Sequence, residues 1–378
     1  MIRVTRKNKN NESRLPLTIS AQYGLVDQIS FFNKVVASND MSNYYLLHNG
    51  EFAYNKSYSG DYPWGAIKRL DRYEKGALSS LYICFAPQQV VHSDFLVHYF
   101  ESPKWHKEVS NIAGEGARNH GLLNIAVPDF FNTRHWVPSN RTEQETIAEL
   151  FNLIEERIQT QKKIIEDLKK LKDAINNSLH NNINEFQLFS FNELGNDYSG
   201  LTGKSSEDFG SGLPYISYLN VFRNDIVTDE SFDYVKVSKT EKQNVVSYGD
   251  LLFTLSSETP SEVGIGAIYL GKTNPIYLNS FCFGVHLSNQ ENIYGPYLAY
   301  FVTSQYFRKT ILPFAQGSTR YNLMKSDFMK HKFRFPNMAT QKAIYNALHT
   351  LSEKIQNEEV CLNKYTEQKL YLLARLFI

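Results

Sequence analysis

The sequence predicts an α+β protein in which two pseudo-repeated globular domains are joined by two long helices forming an antiparallel coiled coil. Three observations lead to this prediction. The chain repeats itself once, with offsets of 197 to 201 residues. Each copy begins with short runs rich in Tyr, Phe and Val that are broken by Gly, Asn and Pro. Each copy ends in a long segment without Gly or Pro. We therefore expect globular domains at 1–139 and 181–337, and helices at 140–180 and 338–378.

The repeat is weak in identity but long, which indicates domain duplication rather than a solenoid. Arg118 and Arg320 align if the first copy holds four extra residues. The other matches pair Asn49–Tyr54 with Tyr248–Phe253, Gly65–Ile67 with Gly266–Ile268, Asp129–Phe130 with Asp327–Phe328, Pro138 with Pro336, and Gln144 with Gln341.

The start of the first copy is shorter than the start of the second. LPLTIS at 15–20 aligns with LPYIS at 213–217, so 14 residues stand where the second copy has nearly 30. We expect the opening strand of the first domain to be missing or shortened. Either the chain begins late, or its two ends complete one another in space.

The helices are predicted from heptad spacing of apolar residues, which favours a coiled coil. Thr142 is the expected N-cap of the first helix, with Glu145 in the capping-box position. The stripes are Ile147, Phe151, Ile154, Ile158, Ile165, Leu168, Ile175 and Leu179, and then Ile344, Leu348, Leu351, Ile355, Leu362, Tyr365, Leu372 and Leu376.

Each stripe is interrupted once by a polar residue, Gln161 in the first helix and Glu358 in the second. In antiparallel helices these two midpoints would meet and fix the register. Alternatively, both side chains reach water. A helix of 37 residues extends about 55 Å, and B-DNA repeats every ~34–36 Å. Such a rod could hold two DNA readers about a helical turn or more apart.

Composition excludes several classes of protein. Apolar content of 42% and charged content of 21% are those of a globular chain. Cys84, Cys282 and Cys361 are too few and too scattered for a disulfide framework or a zinc site. No apolar run reaches the ~18 residues of a membrane span, and the N-terminus lacks the apolar core of a signal peptide. We expect a cytoplasmic protein without a membrane partner.

The charge distribution, rather than the net charge of +1, points to a nucleic-acid partner. Seven basic residues and one acid lie between 308 and 334. The polar loop AQGSTRYNLMKSDF, at 315–328, falls inside this basic stretch. A looser version, AGEGARNHGLLNIAVPDF, occupies the matching place at 113–130.

Over nearly its whole length the chain resembles the specificity subunit of type I restriction–modification systems. The resemblance rests on the order of five segments: NGEFAYNKSYSGDYPWGAIKRL at 49–70, PSNRTEQETIAELFNLIEERI, SGLTGKSSEDFG at 199–210, GSTRYNL, and PNMATQKAIYNALHTLSEKI. It implies two target recognition domains, each reading half of a split sequence in double-stranded DNA. It also implies that the paired helices dock two modification subunits.

The resemblance implies that the chain itself does no chemistry and holds no cofactor or metal. The modification (methyltransferase) subunits would bind S-adenosylmethionine and methylate adenine. Restriction subunits would add translocation and cleavage that depend on ATP with magnesium.

Candidate DNA-contacting residues follow from the base edges that side chains can read. Arg suits guanine, Asn and Gln suit adenine, and Ser, Thr and Lys contact phosphate or base. Gly317 would let the backbone approach DNA closely. The first domain offers Asn55, Lys56, Ser57, Tyr58, Lys68, Arg69, Arg118 and Asn119; the second offers Ser217, Tyr218, Asn220, Arg223, Ser256, Gln316, Ser318, Thr319, Arg320, Asn322 and Lys325. Any single Asn or Ser could instead simply cap a turn.

Two other functions stay open. A fused adenine methyltransferase would need a cofactor-binding domain for which the chain has no room. Separately, SGLTGKSS at 199–206 does not fit a phosphate-binding loop, because Tyr198, just before it, stands where that loop requires glycine. A duplicated coiled-coil scaffold would join other proteins without reading DNA. DNA affinity that falls with salt would separate a DNA reader from this scaffold.

Overall fold

The computed structural model describes residues 1–114, 121–230, 232–288 and 291–377. The chain divides into two compact units. Unit 1 consists of Met1–Lys162 and Val360–Ile378, and unit 2 of Lys163–Glu359. Both boundaries fall inside long helices, so each unit contains the first half of one helix and the last half of the other.

Unit 1 combines two small sheets with short helices. Its strands are β1 (Ile2–Arg3), β2 (Pro16–Ser20), β3 (Gly24–Asp27), β4 (Tyr45–His48), β5 (Phe52–Asn55), β6 (Ala66–Arg69), β7 (Lys75–Leu78) and β8 (Ile83–Ala86). Its helices are α1 (Gln28–Phe32), α2 (Ser93–Glu101), α3 (His106–Ile112), α4 (Val127–Asn132) and the first half of α5 (Arg141–Asn181).

The sheets of unit 1 have the orders β1-β8-β5-β6 and β3-β2-β7-β4. Aromatic side chains on β5 and β8 face the short helices, because alternate strand residues point to the same side. Phe52 stacks on Phe85, and Tyr54 stacks on Phe130 of α4. This core also contains Phe151 of α5.

Unit 2 has more strands. They are β9 (Gln187–Ser190), β10 (Gly195–Ser199), β11 (Phe209–Ile216), β12 (Ile226–Val227), β13 (Asp233–Val235), β14 (Leu251–Thr254), β15 (Ser256–Ser257), β16 (Gly266–Tyr269), β17 (Tyr277–Leu278), β18 (Cys282–Leu287), β19 (Ala315–Gln316), β20 (Tyr321–Leu323) and β21 (Lys332–Phe335). Its helices are α6 (Phe191–Leu194), α7 (Tyr218–Arg223), α8 (Leu298–Phe301), α9 (Gln305–Ile311), α10 (Lys325–Lys330) and the first half of α11 (Met338–Arg375).

The main sheet of unit 2 has the order β10-β18-β14-β16-β12, and smaller sheets have the orders β13-β11-β17, β15-β20-β19 and β21-β9. Its core is again aromatic: Phe253 and Phe283 of the main sheet stack on each other and contact Phe328 of α10. The predicted α+β class is confirmed.

The repeat is visible in the pairing registers, with one correction. Phe52 pairs with Arg69 in unit 1, and Leu251 pairs with Ile268 in unit 2, so the two hairpins match at an offset of 199. At this offset Gly65 matches Gly264 rather than Gly266. The backbone agrees, because Gly65 and Gly264 both have positive φ. The similarity of GAI in both copies suggested the wrong register.

The match between Gln144 and Gln341 has a structural reason. Each glutamine is buried at the start of its long helix and accepts a backbone N–H, from His92 at 2.7 Å or from Tyr294 at 2.8 Å. Each also donates to the carbonyl of the preceding proline, Pro138 or Pro336. The buried amides therefore fix the angle at which each helix leaves its domain.

The opening strand of unit 1 is shorter than its counterpart in unit 2. β1 pairs Ile2 with Ala86, and the longer β10 pairs five residues, Gly195 to Ser199, with β18. In unit 2, β9 and α6 precede β10, whereas in unit 1 β1 follows Met1 directly. The end of α11 and the residues just after it contribute Leu373 and Phe377 to the core of unit 1. The two chain ends thus contribute to one unit.

The long helices match the predicted segments, but α5 is capped differently. Thr142 does not cap it, because the helix already begins at Arg141 and the side chain of Asn140 accepts the N–H of Thr142 at 2.9 Å. Glu145 instead pairs with Arg141 at 3.2 Å.

Within unit 1 the two helices run antiparallel. Phe151 stacks on Phe377, Glu155 pairs with Lys369, and Arg157 contacts the Tyr365 hydroxyl at 3.1 Å. The predicted core positions Phe151, Ile158, Ile344, Leu348 and Ile355 are buried, and Ile147, Ile154 and Leu351 are half-buried. Gln161 is buried, and Glu358 pairs with Lys354; their mutual contact stays a prediction.

The predicted stripe is wrong at both helix ends. Leu179 and Leu376 are 36% and 37% exposed, whereas the next residues, His180 and Phe377, are 3% and 2% exposed. A straight helix drifts relative to a heptad repeat, and these last turns face a globular core. Across the described part of the chain, no helix is long and apolar enough to cross a membrane.

Candidate nucleic-acid interface

The polar loop of unit 2 is the turn of a small hairpin at the edge of the unit. β19 pairs with β20, and residues 317–320 form the turn between them. Gly317 has φ +149°, and a Cβ there would lie 2.1 Å from the carbonyl oxygen of Arg320. Glycine is therefore required for the turn to close, whereas the side chains of Ser318, Thr319 and Arg320 are exposed.

Three polar side chains form a row across this sheet. β15, β20 and β19 pair Ser256 with Asn322, and Asn322 with Gln316. Cross-strand partners lie on the same face of a sheet. Asn322 and Gln316 are exposed, and Leu323 points into the core. This row, which we call the amide row, therefore presents two carboxamides outward, the groups that suit adenine.

Arg320 lies beside the amide row and is held from two sides. Its Nε donates to Ser256 Oγ at 3.2 Å, and its guanidinium carbon lies 5.1 Å from the ring centroid of Phe281. Ser256 is itself fixed, since its carbonyl accepts the Tyr218 hydroxyl at 3.0 Å. Tyr218 stacks on Phe222 within α7. These five side chains come from four segments that are distant in sequence and meet only in the fold.

Three other predicted residues of unit 2 make structural contacts. Ser217 and Asn220 form the capping box of α7, with Asn220 Oδ1 accepting the Ser217 N–H at 3.0 Å. Lys325 pairs with Asp197 at 2.5 Å and lies over the Phe283 ring. Arg223 is exposed and lines a cleft of about 600 Å³ beside α5 and α11, and no residue of the hairpin lines that cleft. The hairpin therefore brings together Ser256, Tyr218 and residues 316–322, but not Ser217, Asn220, Lys325 or Arg223.

The basic stretch at 308–334 holds fewer available charges than its sequence suggests. Arg308 is half-buried and donates to the carbonyls of Ser261, Val263 and Gly264, and its desolvation lowers its pKa to about 10. Lys332 pairs with Glu193, and Arg334 stacks over Phe186. Among the described residues, Lys309 and Lys330 have no ion-pair partner.

The equivalent segment of unit 1 has the same backbone plan. The N–H of Leu123 donates to Lys56 O at 2.9 Å, as the N–H of Leu323 donates to Leu255 O at 2.8 Å. Ser57 bridges to Leu122 and so takes the place of Ser256. Ser57 and Tyr58 are exposed there. Arg118 and Asn119 lie outside the described residues.

The remaining predicted residues of unit 1 lie in local contacts. Asn55 accepts the N–H of Ser57 at 3.0 Å, and the Lys56 ammonium approaches Ile125 O at 3.5 Å. Lys68 pairs with Glu101 at 2.5 Å. Arg69 pairs with Asp71 and with Asp94, each at 2.6 Å. Lys68 and Arg69 therefore form ion pairs with acidic residues of α2 and, for Arg69, with Asp71 just after β6.

Phe281 is the residue of this site that sequence analysis missed. It is 51% exposed, which is unusual for a phenylalanine beside a well-packed core. The sequence signal that could have found it is the repeat, which aligns Phe281 with another large apolar residue, Leu81. Leu81 is also exposed, at 69%. In both copies the residue follows a side-chain turn, with Leu81 N–H donating to Ser79 Oγ and Phe281 N–H donating to Asn279 Oδ1.

The segment that resembled a phosphate-binding loop is held by protein contacts. Lys204 is 5% exposed, donates to Lys236 O at 2.6 Å and pairs with Glu241. Within the described residues, no group of three His, Cys, Asp or Glu side chains could hold a metal ion.

Comparison with known proteins gives both a sequence match and a fold match. Residues 184–365 match the sequence profile of the family described as Type I restriction modification DNA specificity domain. No curated protein has a matching sequence.

Two solved structures are similar to the whole chain. One is a chain from a structure concerned with complex assembly and conformational transition of the type I R-M system; it is 14% identical, with a TM-score of 0.61, over 99% of this chain and 94% of that chain. The other is the S subunit of a type I restriction–modification system from M. genitalium, 18% identical, with a TM-score of 0.51, over 99% of this chain and 93% of that chain. At these identities the likeness shows a shared fold.

Proposed function

Because this chain belongs to the specificity subunits of type I restriction–modification systems and is their DNA sequence-recognition component, we propose that it reads a bipartite target. Unit 1 would read one half of the sequence and unit 2 the other. The observation that carries this proposal is the hairpin of unit 2, where an exposed arginine and two exposed carboxamides lie side by side. Unit 1 repeats its backbone plan.

The side chains of the hairpin match the chemistry of base edges. Asn322 and Gln316 can each donate to and accept from adenine, and Arg320 can donate twice to guanine. Lys309 and Lys330, which have no ion-pair partner among the described residues, are suited to phosphates. Phosphate contacts position the unit on DNA, and base contacts select the sequence.

The long helices are the proposed docking surface for two modification subunits, one for each copy of the repeat. Large apolar side chains are exposed on them within unit 1: Leu150 at 40%, Leu153 at 57%, Leu370 at 60% and Tyr371 at 63%. Exposed apolar side chains of this size favour contact with another protein. Restriction subunits would join the same assembly.

In this proposal the chain supplies recognition and no chemistry. The modification subunits would bind S-adenosylmethionine and methylate adenine, and the restriction subunits would use ATP with magnesium. The complex would act in the cytoplasm, where its DNA target lies.

The test replaces Arg320 with Ala and maps methylated adenines after co-expression with the modification subunits. We expect recognition to relax at one position of one half-site, at about 1–3 kcal/mol of lost discrimination. Lys330→Ala is the matched control, since it removes a nearby exposed charge outside the hairpin. It should weaken binding to all sequences and reduce its salt dependence. An unchanged motif and full activity with Arg320→Ala would contradict the proposed role of the hairpin.

The scaffold alternative gives a different result. A duplicated coiled-coil scaffold would assemble with partner proteins, yet the assembly would show no DNA affinity that falls with salt. Measuring binding of the assembled complex to duplex DNA between low and moderate salt therefore separates the two functions.

A further inference from the structure

We infer that Phe281 is a positioning residue that holds Arg320 flat for reading a guanine, and that this device serves only the half-site read by unit 2. This inference rests on the proposed function. It adds a residue and a base that the family assignment does not supply.

The first support is geometric. The guanidinium carbon of Arg320 lies 5.1 Å from the centroid of the Phe281 ring, within the ~6 Å range of a cation–π contact. Phe281 remains 51% exposed, so burial alone does not explain its position. The ring forms a platform on which the planar guanidinium can rest.

The second support is the use of hydrogen-bond donors. Ser256 Oγ accepts from Nε of Arg320, the donor nearest the chain. Neither terminal nitrogen, Nη1 or Nη2, donates to a described residue. These terminal nitrogens can donate in parallel to two acceptors. A side chain that is already oriented loses less freedom on binding than a mobile one.

The chemistry of the bases then selects guanine. In the major groove, guanine presents two adjacent acceptors, O6 and N7. Adenine presents one acceptor beside a donor, and the donor would face the arginine N–H groups. Thymine presents a single acceptor, and cytosine presents a donor. Two parallel donors are therefore satisfied only by guanine.

The repeat supplies the contrast between the units. Leu81 occupies the Phe281 position in unit 1, and the following residue closes the same turn in each copy, with Tyr82 N–H donating to Ser79 O and Cys282 N–H to Asn279 O. Leucine has no π face and cannot form a cation–π contact. Among the described residues of unit 1, the matching position therefore offers no aromatic platform, and we expect this half-site to be read in another way.

The experiment uses the complex of the full chain with its modification subunits. Phe281→Leu installs the residue of unit 1, and Phe281→Tyr keeps an aromatic face as the matched control. Binding is measured against duplexes carrying each single base-pair change in the target, at two salt concentrations. Thermal unfolding verifies that both variants fold, which is expected because residue 281 is half exposed.

We expect Phe281→Leu to reduce discrimination about 3- to 10-fold at one G·C pair in the unit 2 half-site. Phe281→Tyr should stay close to the original protein. Arg320→Ala should remove discrimination at that same pair, and adding Phe281→Leu to Arg320→Ala should change it no further.

Three outcomes overturn the inference. One is an Arg320→Ala variant that loses the same affinity for every duplex, which would make Arg320 a phosphate contact. Another is a half-site without guanine, and the third is undiminished discrimination in Phe281→Leu. In each of these the original complex still reads a bipartite sequence. If the original complex has no sequence preference, the proposed function itself fails.

Discussion

At the scale of single residues, His180 shows how one buried side chain makes stability depend on pH. Its ring stacks against Tyr297 at 5.5 Å between centroids, and its Nδ1 donates to Asn176 O at 2.9 Å. Its Nε2 is buried without a partner among the described residues. Burial lowers the pKa of His180 to about 4 from the usual 6.5. The folded protein therefore keeps this imidazole neutral.

The pH dependence follows from the sign of that shift. Above pH 6.5 the ring is neutral in both states and contributes no pH dependence. As pH falls from 6.5 toward about 4, only the unfolded chain binds the proton, so the free energy of unfolding decreases. Over that window the loss reaches about 3 kcal/mol.

We predict that His180→Phe flattens this part of the stability profile. Phe377 occupies the matching place in unit 1 and packs on Phe95 and Phe151, so phenylalanine suits the site. Urea unfolding followed by circular dichroism at pH 7 and pH 5 should show a smaller difference for the variant. Exposed His48, changed to Asn, serves as the control and should leave the profile as it is. A variant that loses stability on acidification as steeply as the original protein would contradict the assignment.

The sequence predicted correctly which loop residues of unit 2 are exposed, and their contact with DNA stays a prediction. Arg320 and Asn322 are exposed on the expected loop. Lys68 and Arg69 look equally available in the sequence, but Glu101 and Asp94 of α2 reach them only in the fold. Phe281 was missed for the same reason, because it lies 39 residues from its partner Arg320.

At the scale of elements, the segment just after α11 anchors the helix in the core of unit 1. Phe377 is 2% exposed, and its neighbour Leu376 is 37% exposed. We predict that Phe377→Ala lowers the stability of unit 1 by about 3–5 kcal/mol, since it removes a buried aromatic side chain. Leu376→Ala, at the same helix end, should lower it by much less. Thermal unfolding followed by tryptophan fluorescence measures both; equal losses would contradict this account of the helix end.

The bounds of the long helices were predicted well, but the face that each helix buries was predicted less well. The helix expected at 140–180 is observed as Arg141–Asn181, because the absence of Gly and Pro and the apolar spacing determine where a helix can run. Which face is buried depends on what the helix meets. The middle follows heptad positions such as Ile158 and Ile355, but the ends contact globular cores, where position 180 or 377 replaces 179 or 376.

At the scale of the whole molecule, unit 1 is completed by a helix half from far along the chain, whereas unit 2 is continuous in sequence. Deleting residues 367–378 removes Leu373 and Phe377 from the core of unit 1. We predict that this deletion at the C-terminus destabilises the N-terminal unit and leaves the strands of unit 2 protected. All three tryptophans, Trp64, Trp105 and Trp136, belong to unit 1, so their fluorescence reports on that unit alone.

The readout of this experiment has two parts. The tryptophan unfolding transition should move to lower temperature in the deleted chain. Hydrogen exchange in β14, β16 and β18 should keep its original protection. Loss of protection in those strands with an unchanged tryptophan transition would mean that the last turns of α11 stabilise the other unit.

The composition of unit 1 from both chain ends also sets an order for its synthesis. Domains usually fold from the N-terminus onward as the ribosome delivers them. Here the aromatic core around Phe95 and Phe151 lacks two members until Leu373 and Phe377 have emerged. The part translated second, which needs nothing beyond Glu359, is therefore ready to close first. The part translated first must wait with its apolar surface open, and during that interval the nascent chain is most exposed to aggregation and most dependent on chaperones.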